Sequence, residues 1–267
     1  MQSRTAVDIC DPLTRSNLNE NMKDNQNKFY TSISTYYSDI FPYKPMQLLF
    51  VKNKVGELKG KQILDIGCAT GELSYQLAKE GAEVIGIDLN EDLLKQAKSQ
   101  KQHKNLRFQT GNMLELEKDF QEKQFDAVLC FGNTLVHLPD KTAVIKMLHG
   151  VEKILNPGGK FLMQILNYDY IIDEQITELP MIETENVKFI RTYKFDEHFT
   201  QVKFQTDLHL RNTGETITNE TTLLALKSSD MLDLVDQAGF KIIHLYSNFK
   251  EEDFGGKHLP LVGSCRK

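Results

Sequence analysis

The sequence predicts an α/β fold: a seven-stranded, mostly parallel sheet sandwiched by helices, with a small antiparallel β insertion after the fifth strand. Two observations carry this. Between residues 61 and 166 short apolar runs alternate with amphipathic stretches, the rhythm of parallel strands covered by helices. From residue 187 the pattern changes to two-residue alternation, which suits antiparallel strands with one solvated face.

The elements follow in order. KFYTSISTYYSDIF and PMQLLFVKNKVGEL read as helices separated by a break from Pro42 to Pro45. QILDI is the first strand and GELSYQLAKEG the first covering helix; AEVIGID and NEDLLKQAKSQ repeat the unit, with Asn90 as N-cap. NLRFQTG and FDAVLCF are the third and fourth strands, and KTAVIKMLHGVEKIL is a helix. Pro157-Gly158-Gly159 then turns the chain into KFLMQIL, the fifth strand. Segments 187–195, 199–210 and 215–226 predict three antiparallel strands. In the second of them Val202, Phe204, Thr206, Leu208 and Leu210 share one face, and Arg211-Asn212-Thr213-Gly214 is a hairpin turn. SSDMLDLVDQAGF is a helix capped by Ser228 or Ser229; KIIHLYSNF and LPLVGSCRK close the sheet.

Composition narrows the function. The 267 residues are 40% hydrophobic, enough for a real core, and the net charge of −5 disfavours nucleic acid as partner. No apolar run approaches a membrane span and no signal peptide is visible, so a cytoplasmic protein with no membrane partner is expected. Cys10, Cys68, Cys130 and Cys265 are far apart with no histidine at ligand spacing, so they read as free thiols and no metal is expected. Residues 1–27 are polar and aperiodic and read as a disordered tail; Met22 would serve as a start, which makes residues 1–21 a leader.

The stretch ILDIGCATGELSYQLA places glycines between a strand and a helix, where backbone can approach a ligand closely. The dinucleotide fingerprint fails, because from Gly67 its three positions hold Gly67, Ala69 and Glu72. A glutamate at the last of these would face a pyrophosphate, which counts against a nicotinamide oxidoreductase. No G-K-[ST] follows, which excludes a P-loop. Asp65 just before the turn repels phosphate and suits a cation. Asp88 ends the second strand 21 positions after Gly67, where a ribose-binding acid belongs. The pocket therefore suits a ribose and a cationic, phosphate-free group.

These residues resemble class I S-adenosylmethionine-dependent methyltransferases, whose fold is Rossmann-like. ILDIGCATG resembles their motif I, VIGIDLN motif II, FQTGNML the adenine-binding segment, FDAVLCFGNTLVHL motif IV, and LNPGGKFLM the turn into strand five. The matches keep the family's order over about residues 60–168. The resemblance implies S-adenosyl-L-methionine as cofactor and S-adenosyl-L-homocysteine as product. Gly67, Cys68, Ala69 and Gly71 would cradle the methionine part, and Asp65 would support the loop. Asp88 would bond both ribose hydroxyls, Leu89 would pack on adenine, and Asn112 and Met113 would bracket its other side. Phe131 of motif IV completes the cofactor set.

CFGNTLVHLPD and NYDYII are similar to segments of glycine and sarcosine N-methyltransferases and related small-molecule enzymes. That likeness implies Asn133 at the acceptor and His137 near the cofactor. It also implies a lid of N-terminal aromatics, Tyr30, Tyr36, Tyr37 and Tyr43, with Tyr37 or Tyr30 in the site. Asn133, His137 and Tyr37 are the catalytic candidates. The carboxylate-gripping arginine of the glycine enzymes is replaced by Leu166, so a less anionic or larger acceptor than glycine is expected. Arg191 reads as a solvated strand arginine, with a substitute clamp as the alternative. The expected reaction is in-line transfer to a small-molecule acceptor, at an amine nitrogen first and an oxygen or carbon second. A macromolecular acceptor and a non-catalytic cofactor-binding subunit stand behind these.

The expected organisation is a tail at 1–27, a helical lid at 28–58, a cofactor-binding domain at 59–170 and 228–267, and an insertion at 171–227. The insertion would serve as substrate lid, as homodimer surface, or both.

Overall fold

The computed structural model describes residues 26–267. The leader and most of the polar tail read from the sequence lie outside the described residues. Gln26 and Asn27, assigned to that tail, instead belong to a helix over residues 26–33 (α1). The Asn90 side-chain amide holds it, donating to the side-chain oxygen of Asn27 at 2.8 Å and to the Thr31 hydroxyl at 3.0 Å.

A 3-10 turn, Ser34–Tyr36, leads into α2 (Tyr37–Ile40) and α3 (Pro45–Val55). Proline at the first helical position has no amide hydrogen to leave unpaired, which explains why α3 starts there. The alternating units then run β1 (Gln62–Ile66), α4 (Glu72–Lys79), β2 (Glu83–Asp88), α5 (Glu91–Gln100), β3 (Leu106–Thr110), α6 (Leu116–Asp119), β4 (Phe125–Cys130), α7 (Lys141–Ile154) and β5 (Leu155–Leu166). Asn90 caps α5 as predicted, its oxygen accepting from the Leu93 amide at 3.0 Å. The Pro-Gly-Gly segment is not a turn before β5. It lies within the strand as an irregularity: Phe125 pairs with Leu155 but Ala127 pairs with Lys160.

After α8 (Tyr168–Asp173) come β6 (Glu178–Glu183), β7 (Val187–Phe195), β8 (Gln201–Leu210) and β9 (Thr216–Leu224). The insertion thus has four strands, ordered β6-β7-β8-β9, where three were predicted. ELPMIE lacks clean alternation because its pairing with β7 is irregular between Leu179 and Ile182, around Pro180. The hairpin at Arg211–Gly214 forms, with Gly214 at φ 74 and its amide donating to the Leu210 carbonyl. The predicted serine caps of α9 (Ser228–Gln237) are replaced by Lys227, whose amide reaches Asp230. Then β10 (Ile242–Tyr246) and β11 (Pro260–Arg266) complete the large sheet, β11 running antiparallel between β5 and β10.

That sheet runs β10-β11-β5-β4-β1-β2-β3. Successive strands leave β1 in one direction and continue from β4 in the other. A crevice therefore opens beyond the carboxyl ends of β1 and β4, the place where open α/β sheets take ligands. Both faces of the sheet are covered: Leu64, Val128, Phe161 and Met163 pack on one side, Ile63, Ala127, Leu129 and Leu162 on the other. A third cluster joins Phe29, Ile33 and Ile40 of the N-terminal segment to Val187, Phe189 and Leu208 of the insertion. The N-terminal segment, backed by the inner face of the insertion, so closes over the crevice. Cys68, Cys130 and Cys265 are free and buried. Among the described residues no helix is long and apolar enough to cross a membrane.

Candidate active site

The crevice is a pocket whose floor is the β1–α4 turn. Gly67 and Gly71 take φ 71 and 76, and Ala69 takes φ 48. A Cβ on Gly67 would stand 2.5 Å from the Thr134 hydroxyl, and one on Gly71 would overlap the Phe108 ring. The glycines are thus demanded by backbone conformation and by close neighbours.

Four of the turn's amides are engaged within the protein. Those of Gly67 and Cys68 donate to the Ile87 carbonyl at 2.8 and 3.0 Å, and that of Gly71 to the Cys68 carbonyl at 2.8 Å. The Ala69 amide donates to Asp88 Oδ2 at 2.9 Å, and the Asn90 amide to Oδ1 at 2.9 Å. These four amides are not free donors for an anion. The turn presents a carboxylate instead. Burial pushes the Asp88 carboxyl above its ordinary value, against the pull of the Asn90, Ala69 and Leu89 amides. Behind it, buried Asp65 accepts from Ser74 Oγ at 2.5 Å. Burial raises Asp65 to about 7, the Ser74 bond opposes that rise, and Asp88 adds to it. Among the described residues no lysine or arginine pairs with either acid.

Gly67, Ala69, Asp88 and Leu89 line the pocket on one side. Met113, Phe131 and His137 line it on another, and Tyr37 roofs it together with Tyr30. The remaining predicted residues stand behind the wall. Asp65 braces β1 against α4 through Ser74. Cys68 is buried with its sulfur against Gly86 of β2. Gly71 begins α4. Asn112 spends its side-chain oxygen on the Leu114 amide at 3.0 Å, so Gly111 and Met113 face the pocket in its place. Asn133, at φ 67, accepts from the Leu166 amide at 2.9 Å and ties the loop after β4 to the end of β5. Tyr36 packs into the third core cluster, and Tyr43 is half-buried near Glu72 and Glu80; neither lines the pocket.

His137 ends the 3-10 turn Thr134–His137. Its Nε2 lies 3.0 Å from the Tyr30 hydroxyl, while Nδ1 is buried without a partner. Burial lowers its pKa to about 4, so the ring is neutral near pH 7. Burial, and after it Asp88, raises the Tyr30 hydroxyl; burial, then Tyr30 and Asp88, raises that of Tyr37. Both tyrosines stay protonated. Gln26 and Thr134 were missed by sequence reasoning, although Thr134 lies inside a motif singled out there. Arg191 is only partly the solvated arginine expected: it is half-buried, with Nε buried on the inward face of β7 beside Phe189 and Tyr193, while Nη2 donates to the Pro180 carbonyl at the surface.

Residues 57–223 match the family described as methyltransferase domain, and the chain belongs to that family. A ubiquinone biosynthesis O-methyltransferase of Coxiella burnetii is 36% identical over 128 residues, covering 47% of this chain and 52% of that protein. The chain therefore spans about half the length of the curated relatives it matches. The CcbJ methyltransferase of Streptomyces caelestis superposes with TM-score 0.75 at 20% identity, over 88% of this chain and 95% of that one. CalS10, an amino pentose methyltransferase of Micromonospora echinaspora solved with SAM bound, superposes with TM-score 0.58 at 15% identity, over 83% and 90%. At such identities the likeness to both structures is one of fold.

Proposed function

We propose that the chain is an S-adenosylmethionine-dependent methyltransferase acting on a small molecule, with an amine nitrogen as the receiving atom. The observation that carries the cofactor is the pairing of a spent turn with an open acid. The amides of Gly67, Cys68, Ala69 and Gly71 are taken, and Asp88 faces the pocket with two acids and no paired base in the neighbourhood. Such a site rejects pyrophosphate and suits a ribose attached to a cation.

Asp88 would hold the ribose hydroxyls, Leu89, Met113 and Phe131 would flank the adenine, and Asp65 would add negative potential from behind. S-adenosylmethionine supplies, when bound, a methyl group already activated by a sulfonium for in-line displacement. Tyr30 and Tyr37 close the pocket, exclude water and offer aromatic faces to positive charge. Asn133 fixes the loop that carries Thr134 and His137. His137, at a pKa of about 4, is a weak base. A protonated amine needs none beyond water, because entry into a desolvated site favours its neutral form. A phenol or alcohol would need a stronger base than this histidine.

An oxygen acceptor is the second reading. It is favoured by the names of relatives such as the Coxiella burnetii protein, of which the match covers 52%.

The test is methyl transfer from isotopically labelled S-adenosylmethionine into a pooled metabolite extract, read by mass spectrometry. A labelled small amine supports the reading. A labelled ether or ester would move the acceptor to oxygen. Cofactor binding without any labelled small molecule would overturn the small-molecule assignment.

A further inference from the structure

Among the described residues, four buried side-chain polar atoms have no close hydrogen-bond partner: His137 Nδ1, the Tyr168 hydroxyl, Arg191 Nε and Thr206 Oγ1. Folded proteins pair nearly all such atoms, so each orphan asks for a reason. These four belong to segments that meet. Arg191 and Thr206 are cross-strand partners in β7 and β8. Tyr193, two residues along the same face, and Asn133 are the polar neighbours that engage the Tyr168 hydroxyl, which is therefore the least free of the four. The 3-10 turn that carries His137 packs against β9, the neighbour of β8. His137 links the two regions: Nε2 holds Tyr30 over the cofactor pocket, and Nδ1 is one of the four orphans.

The surroundings are apolar. Phe189, Tyr193, Val202 and Leu208 are buried on the same inner face. Arg191 donates through Nη2 to the Pro180 carbonyl at 2.6 Å. Among the described residues no carboxylate pairs with it. A guanidinium partly withdrawn from water without a counter-ion is costly, and a bound anion would relieve it. Arg191 Nε can only donate, and the Thr206 hydroxyl can donate as well. One fixed positive charge with a flanking donor matches a single negative charge on oxygen. A phosphate dianion would leave a charge unbalanced in apolar surroundings.

We propose that this junction is the acceptor subsite, and that the methyl acceptor carries a carboxylate read by Arg191 with the Thr206 hydroxyl. The inference rests on the methyltransferase reading above. It also supplies, from the insertion, the clamp that is absent at Leu166.

The experiment titrates the full chain, saturated with S-adenosylhomocysteine, with benzoate against benzamide and acetate against acetamide by ligand-observed NMR. In at least one pair the acid is expected to bind tenfold or more tightly than its amide. Arg191→Met should abolish that preference and Thr206→Val should reduce it about threefold, with S-adenosylhomocysteine affinity unchanged in both. Equal or absent binding of acid and amide overturns the proposal, as does a preference that survives in Arg191→Met. Should Arg191→Met fail to fold, the acid–amide comparison on the unaltered chain and Thr206→Val decide. S-adenosylhomocysteine binding without acid preference defeats this inference alone; failure to bind S-adenosylhomocysteine defeats the methyltransferase reading and this inference with it.

Discussion

The Tyr30 hydroxyl and Nε2 of His137 stand 3.0 Å apart, joining α1 to the loop after β4 across the pocket. The two rings also meet edge-on at 5.6 Å. This contact is one of the polar ties between the N-terminal segment and the large-sheet domain, beside those of Asn90 to Asn27 and Thr31. Tyr30→Phe keeps the ring packing and deletes the bond. A single neutral hydrogen bond contributes about 0.5–1.5 kcal/mol, so S-adenosylhomocysteine affinity should weaken roughly threefold to tenfold. Isothermal titration calorimetry checks this; an unchanged dissociation constant would mean that this tie does not hold the closed lid.

Gly71 sits at φ 76 with the Phe108 ring where a Cβ would go. Gly71→Ala adds left-handed strain of about 1–2 kcal/mol and overpacking of about 1–3 kcal/mol. At about 2–4 °C per kcal/mol for a chain of this size, melting should fall by roughly 5–15 °C. Gly132, at φ 72 with open space around its Cβ position, is the control: Gly132→Ala should cost only the strain. Equal melting shifts in the two variants would rule out the Phe108 clash.

Asp88 already accepts two backbone amides, and each of its oxygens keeps a further lone pair for a ribose hydroxyl. Hydrogen bonds to a charged group contribute about 1.5–3 kcal/mol each, so losing two should weaken cofactor binding 100-fold or more. Asp88→Ala is the variant, with melting temperature measured alongside because the Ala69 and Asn90 amides lose their partner. A calorimetric dissociation constant within threefold of the parent's would remove Asp88 from the ribose role.

The parallel sheet was legible because period and turn chemistry agree from β1 to β5. β6 was not, because Pro180 and the irregular pairing around it erase the two-residue pattern on which strand recognition depends. Motif positions located the pocket but not which side of the backbone each residue faces. Gly67 and Ala69 are in the wall, while Cys68 between them turns to Gly86. Asn112 and Asn133 act on backbone amides, a use of asparagine that depends on partners close by in the fold. The burial of Arg191 depends on which face of the insertion packs inward, and that is set by contacts with α1 and α2 rather than by strand alternation alone.

Asp65 and His137 make opposite contributions to stability as pH changes. Asp65 is held at about 7 against an ordinary value of 3.8, so between these values the folded chain keeps a proton that the unfolded chain has lost. Its contribution to stability therefore falls as pH rises from about 4 to about 7. His137 is held at about 4 against 6.5, so the unfolded chain takes up a proton that the folded chain refuses. Its contribution falls as pH drops from about 6.5 to about 4. Over the shared window the two slopes cancel, and each variant should uncover the other. Asp65→Asn should melt progressively lower as the pH is taken from 6.5 to 4.5, and His137→Gln progressively lower as it is taken from 4.5 to 6.5. Ligand-free melting curves across that range, read as each variant minus the parent, test the pair. Parallel curves for both variants would show that neither group carries its shifted proton affinity in the fold.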